Sequence, residues 1–279
     1  SGSLLGSGNL EINSPAANHN GTITLAGFNE GYTGTITVAQ GRLNLNDRLG
    51  GSVNVSDGAT LSGEGEVQGT LTLGSATGAN LRVNGSTAPA LLAENLVLNG
   101  VSTVFLDAIP SPLASVKVLE FTNLTGSIAN LQSSGTSAYR TAFVNTGTSI
   151  DLNFITESRT WAGTVDGNWN SSTLNWVEGD KKFFTGDSVV FNDSAANKTV
   201  TIPAAVSPAS VLFNNSTGNN YSVAGRMVVT DGGNLVKQGT GTVTLTGASS
   251  NVTGSVQVNG GSLVLGTTDY TRAVGSSTG

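Results

Sequence analysis

The chain has 279 residues, enough for one large all-β domain or two smaller ones, with a net charge of −6 and a pI near 4.7. Only 11% of residues are charged, while 38 are Gly and none is Cys, so the surface is rich in hydroxyls and amides rather than ions. This composition argues against nucleic acid, which needs clustered Lys and Arg, and removes disulfides and thiolate metal sites, which suits an exported chain although cytosolic proteins can also lack Cys.

In chain order, residues 1 to 45 contain Gly8-Asn-Leu, Gly21-Thr-Ile-Thr-Leu-Ala-Gly27, Gly34-Thr-Ile-Thr-Val38 and Gly41-Arg-Leu-Asn-Leu45. These are strands of four to six residues in which apolar and small polar side chains largely alternate, the period of a strand buried on one face. Gly, Asn and Asp between them are expected to supply the positive-φ corners. Ser14 to Asn20, which holds the only histidine, His19, reads as a surface loop. Further short strands follow at Gly51–Val55, Ala59–Leu61, Glu66–Val67, Thr70–Leu73, Asn80–Val83 and Asn95–Leu98. Strands this short cannot stand as isolated hairpins. Coiling the chain so that each turn stacks on the last buries their Val, Ile and Leu, which predicts a right-handed parallel β-helix, or β-solenoid. At ~20 to 25 residues per coil and ~4.8 Å per step, the chain would make about a dozen coils in a rod on the order of 60 Å long.

Four segments are expected: 1–102, a β-solenoid with the first repeat copy; 103–159, a decorated stretch or seam with longer, aromatic-bearing strands; 160–232, a Trp-rich β block; and 233–279, the second repeat copy. The block from Thr160 holds every Trp, at Trp161, Trp169 and Trp176. Shifting residues 21–45 by 220 positions onto 241–265 needs no gap and gives 11 identities in 25, so the architecture is a repeat. Arg272 to Gly275 can be laid on Arg48 to Gly51 with a shift of 224, as expected for one and a quarter periods of an array, cut from a longer chain or built to dock head to tail. The opening Ser-Gly-Ser reads as that of a mature product or an excerpt.

Gly239-Thr-Gly-Thr-Val-Thr-Leu-Thr-Gly247 and Gly254-Ser-Val-Gln-Val-Asn-Gly-Gly-Ser-Leu-Val-Leu265 resemble the passenger-associated, or autotransporter-associated, β-strand repeat of bacterial surface and secreted proteins. The Tyr usual before the second Gly block is Tyr32 in the first copy and Val252 in the second. The Trp block resembles the one that precedes such repeats in large, tandemly repetitive surface proteins. The resemblance implies an extracellular location, at a bacterial surface or secreted, with further copies of the module as partners, head to tail or in tandem.

No residue pattern demands catalysis or a cofactor. Glu64 and Glu66, two apart, would share a strand face; paired carboxylates can cleave glycosides, but such sites need more convergent charge than this chain offers. Asp180, Asp187, Asp193 and Asn192 have oxygen atoms suited to calcium, yet their spacing matches neither an EF-hand nor the calcium-binding nonapeptide repeat, and turns explain them. His19 has no partner implied by spacing. Trp161, Trp169, Trp176 and Tyr221 are candidate aromatics for a glycan platform or for the packing of a junction between units, the second being preferred. No stretch approaches 18 consecutive apolar residues, so no membrane insertion is expected. Three functions compete: a structural module of a surface fibre, an adhesin for glycans or cells, and, by fold analogy alone, a polysaccharide-degrading enzyme.

Overall fold

The computed structural model describes residues 3–14, 21–85, 91–247 and 250–266, and the backbone of 271 and 272. Among these the regular structure is strand, with one short 3-10 turn at Ile128–Asn130 capped by the Ser127 hydroxyl. No helix is long and apolar enough to cross a membrane. The chain forms two compact units, Ser1–Ser137 with Thr141–Phe154, and Ala138–Arg140 with Ile155–Gly279.

In the first unit the chain passes back and forth between two sheets. One is ordered Leu10–Asn13, Thr35–Gln40, Ser52–Val55, Glu66–Leu73, Leu92–Leu98, Val116–Gly126; the other Thr22–Leu25, Arg42–Leu45, Thr60–Ser62, Asn80–Val83, Ser102–Leu106, Leu131–Ser134. All these pairings are parallel. Parallel neighbours require a crossover between them, and here each crossover is a strand of the facing sheet. That is a coil. Its period is uneven: Ile36 sits beside Val53, 17 residues on, Val53 beside Leu71, 18 on, and then Leu96 and Leu124 follow after 25 and 28. The tight coils turn on glycine, and the longer ones carry loops.

The expected seam starts by continuing the coil, since Ser102–Leu106 and Val116–Gly126 are ordinary members of the two sheets. Ser149–Ile155 then pairs antiparallel with Val116–Gly126 and ends the parallel ladder. Inside, aliphatic side chains stack in columns: Ile36, Val53 and Leu71 on one wall, Leu43, Leu61 and Leu81 on the other, all buried. Each such aliphatic contributes about 1.5–3 kcal/mol by leaving water.

In the second unit Ser158–Thr160, Ser188–Asn192, Ser210–Asn214, Leu235–Gln238 and Val256–Val258 form one parallel sheet. Thr199–Val206, Tyr221–Val229, Thr242–Thr246 and Ser262–Leu265 form another, also parallel. Its columns are more aromatic: Phe191 lies stacked on Phe213 at 4.7 Å, with Tyr221 edge-on to Phe191 at 5.6 Å. Each unit has its own apolar core.

Candidate functional site

Where the repeat motif sits, its glycines explain themselves. Gly41 and Gly261, equivalent in the two copies, both have positive φ (90° and 65°), and a Cβ would lie 2.7 Å and 2.2 Å from the carbonyl oxygen of Gly21 and Gly241, one coil earlier. Gly34 and Gly254, also equivalent, would each put a Cβ 2.3 Å from the carbonyl oxygen of the coil below, at Gly8 and Gly232. Stacked corners leave no volume for a side chain, and the positive φ disfavours one independently. Asn and Asp were expected to share the positive-φ positions; among the described residues Asp231 does so, and Lys181 is the other non-glycine there.

Asp and Asn instead bridge successive coils. Asp57 accepts from the Ser75 amide at 2.7 Å, the Ser75 hydroxyl at 2.9 Å, the Ala76 amide at 3.1 Å and the Gly78 amide at 2.9 Å. The Ser75 amide and its companions hold that carboxyl far below the usual carboxylate range. Asp193 takes the amide and hydroxyl of Ser216 at 2.8 and 2.7 Å, and Asn234 those of Ser255 at 2.8 and 2.9 Å. These Asx–Ser ladders are invisible to strand periodicity. Their signal is an Asp or Asn at one corner and a Ser one coil later.

Trp161, Trp169, Trp176 and Tyr221 are all buried. Trp161 and Trp176 meet edge to face at 5.2 Å, Trp169 and Trp176 at 5.8 Å, and Trp169 and Phe183 at 5.5 Å. The Trp161 indole donates to the Asn197 carbonyl at 2.8 Å, and the Tyr221 hydroxyl to the Asn192 carbonyl at 2.6 Å; burial pushes the latter's pKa up. The rings offer no open face to a sugar and form one core cluster. The loop that carries them is organised by buried Asn175. Its side-chain amide donates to Asp166 at 2.6 Å and to the Asn168 carbonyl at 3.0 Å, while its oxygen accepts from the Val165 and Asp166 amides.

The oxygens suggested for calcium do not meet at one point. Asp187 is fully buried, and accepts from Arg140 Nη1 at 2.9 Å, the Glu157 amide at 2.8 Å and the Phe184 amide at 2.9 Å. Asp180 and Glu157 lie at 2.9 and 2.6 Å from Nη2 of buried Arg159, whose Nη1 donates to the Glu178 carbonyl at 2.6 Å. Partial burial of Asp180 works against its ionisation, but the Lys182 amide and both guanidiniums win and lower its pKa. Asp193 is taken by Ser216 instead, and Asn192 caps Ser194. Two cations among three carboxylates form a structural clamp.

A second buried cation was missed altogether. Lys237 occupies an inward position in the column between Phe213 and Val258, and its Nζ donates to the carbonyls of Gln238, Gly239 at 3.1 Å and Gly260 at 3.4 Å. Burial lowers its pKa. A polar residue at an alternating apolar position carries no local signal of what will receive it.

Glu64 and Glu66 do not act as a pair. Glu66 opens its strand and lies 2.8 Å from Arg48, whereas Glu64 sits at the preceding corner and accepts from Asn84. Glu64 helps line a groove of about 500 Å³ on the first unit with Arg42, Asn44, Asn46, Arg82 and Asp107. Arg82 and Asp107 are ion-paired there, and Ser62 donates to Asn44 at 3.1 Å. His19 lies outside the described residues.

The passenger-associated-transport-repeat family model matches residues 20–45 and 235–265. The chain carries two of these repeats. Each contains the glycine corners, and the matched segments hold three and four of the short parallel strands described above, so the passenger-associated-transport repeat is here one coil and part of the next. No curated protein and no solved structure matched the chain.

Proposed function

We propose that this chain is a non-enzymatic structural module of an autotransporter-like passenger, a right-handed β-solenoid on a bacterial surface or secreted from it, which stacks with neighbouring copies. The observation that carries the reading is the pair of passenger-associated-transport repeats set in parallel coils. It is supported by where the ionisable groups go. Asp57, Asp187, Asp193, Arg159 and Lys237 are all spent on the coil's own backbone or on one another. Surface labelling of intact cells, together with electron microscopy of the native material and the mass of its denatured chain, tests it. Labelled surface filaments are expected; a chain confined to the cell interior would overturn the reading.

The groove on the first unit favours adhesion to glycans as the second reading, because guanidinium, amide, hydroxyl and carboxylate groups line one concave face. A glycan array probed with the wild type and with Arg42→Ala tests it, and absence of any binding removes it. A polysaccharide-cleaving role fits less well: Glu64 and Asp107 share that groove, but each is already engaged, by Asn84 and Arg82.

A further inference from the structure

Resting on the second reading, adhesion to glycans, we propose that the groove of the first unit takes an oligosaccharide bearing a single carboxylate, a uronic or sialic acid, which the Arg42 guanidinium receives. The groove has a volume of about 500 Å³ and crosses the outward face of the sheet that contains Arg42–Leu45, Thr60–Ser62 and Asn80–Val83. That volume is in the range of small-ligand sites. Its lining is polar, so hydrogen bonds and charge decide what enters.

Arg42 differs from the other arginines of this unit and its neighbour. Arg48, Arg82, Arg140 and Arg159 each reach a carboxylate. Arg42 is only partly exposed, yet among the described residues it has neither an ion pair nor a side-chain hydrogen bond. Asn44 and Asn46 follow it at two-residue intervals and line the same groove, while Leu43 and Leu45 between them are buried on the inward side. At ~3.3 Å per residue the three side chains spread over about 13 Å of extended chain. Asn44 accepts from Ser62 at 3.1 Å, but among the described residues the amide nitrogens of Asn44 and Asn46 have no acceptor. Free donors therefore run the length of one strand, with a cation at its start.

The carboxylates gather at the opposite end. Glu64 follows Thr60–Ser62 as Asn46 follows Arg42–Leu45, and it accepts from Asn84. Asp107 follows Ser102–Leu106 and is ion-paired with Arg82. Two arginines and two carboxylates in the lining leave no net charge. A densely sulfated chain would thus lay some of its charges over Glu64 and Asp107, where like charge repels it. One carboxylate at the Arg42 end avoids that, and a guanidinium matches it with two parallel N–H···O bonds. Sugar hydroxyls, which both donate and accept, suit the amides of Asn44 and Asn46 and the remaining lone pairs of Glu64.

Calorimetric titration of the full chain with matched oligosaccharides tests this: sialyllactose against lactose, and a glucuronic-acid-branched xylo-oligosaccharide against its unbranched parent. A carboxylated member is expected to bind about tenfold or more tightly than its neutral parent, and Arg42→Ala should erase that difference while leaving the neutral parent's binding unchanged. Arg42→Lys keeps the charge and stem without the planar fork, and should retain only part of the preference. Arg226→Ala makes the same change in net charge at an exposed site of the second unit and should alter nothing. Equal binding within both pairs, tighter binding of heparin than of either carboxylated probe, or a preference that survives Arg42→Ala would overturn the proposal and leave glycan adhesion standing. Absence of binding to every probe would remove the adhesion reading along with it.

Discussion

Asp187 is the residue on which most charge converges. It is fully buried with two backbone amides and the Arg140 guanidinium as donors, and Arg140 in turn lies 4.6 Å over the Phe184 ring. Asp187→Asn keeps the shape but leaves Arg140 and Arg159 underpaired in a dry site, so a loss of about 3–5 kcal/mol is expected in urea unfolding. Lys237 makes a prediction of opposite character. Its folded pKa lies below the ordinary 10.5, so between those two values the unfolded chain holds more protons than the folded one, and stability rises with pH. Wild type should therefore gain on Lys237→Met as pH climbs toward 10.5, read as the difference in urea midpoints; a constant difference across that window would remove the burial argument.

Among the elements, corners rather than strands are the sensitive parts. Gly63 and Gly58 both have positive φ, but a Cβ at Gly63 would lie 2.0 Å from the Leu45 carbonyl oxygen, and one at Gly58 meets nothing within 4 Å. Gly58→Ala should cost about 1–2 kcal/mol, the left-handed penalty alone, and Gly63→Ala clearly more, because backbone cannot yield as a flexible side chain does. Thermal melts of the two variants compare them directly. The Asx–Ser ladders act more locally. Asp57→Ala should speed hydrogen exchange at the Ser75, Ala76 and Gly78 amides while leaving the melting temperature nearly unchanged, since the group is at the surface. The Asp57 pKa is depressed, so the ladder's contribution is present above the ordinary carboxylate pKa and is lost only as pH falls through the much lower folded value.

For the whole molecule, two cores without shared buried residues imply two cooperative blocks. All three tryptophans belong to the second, so their fluorescence reports that block, while far-ultraviolet circular dichroism reports both. Denaturation followed by the two signals should give different midpoints. Coincident curves would mean that the coils unfold as one.

The coil itself was legible because a strand buried on one face must alternate, and because Gly21–Leu45 and Gly241–Leu265 say the same thing twice. The repeat glycines were legible as corners, though not as places where the previous coil's carbonyl fills the space of a Cβ. What sequence could not reach are contacts between residues about 18 to 25 apart, whose pairing depends on how many residues each coil consumes: Asp57 with Ser75, Asn234 with Ser255, Asp193 with Ser216. The same limit hid Lys237 among apolar neighbours, and it left a glycan platform as the less favoured alternative for Trp161, Trp169 and Trp176, which are buried. Periodicity is local and survives in the sequence alone; coil length is set by the loops, and only tertiary structure decides which corner lies above which.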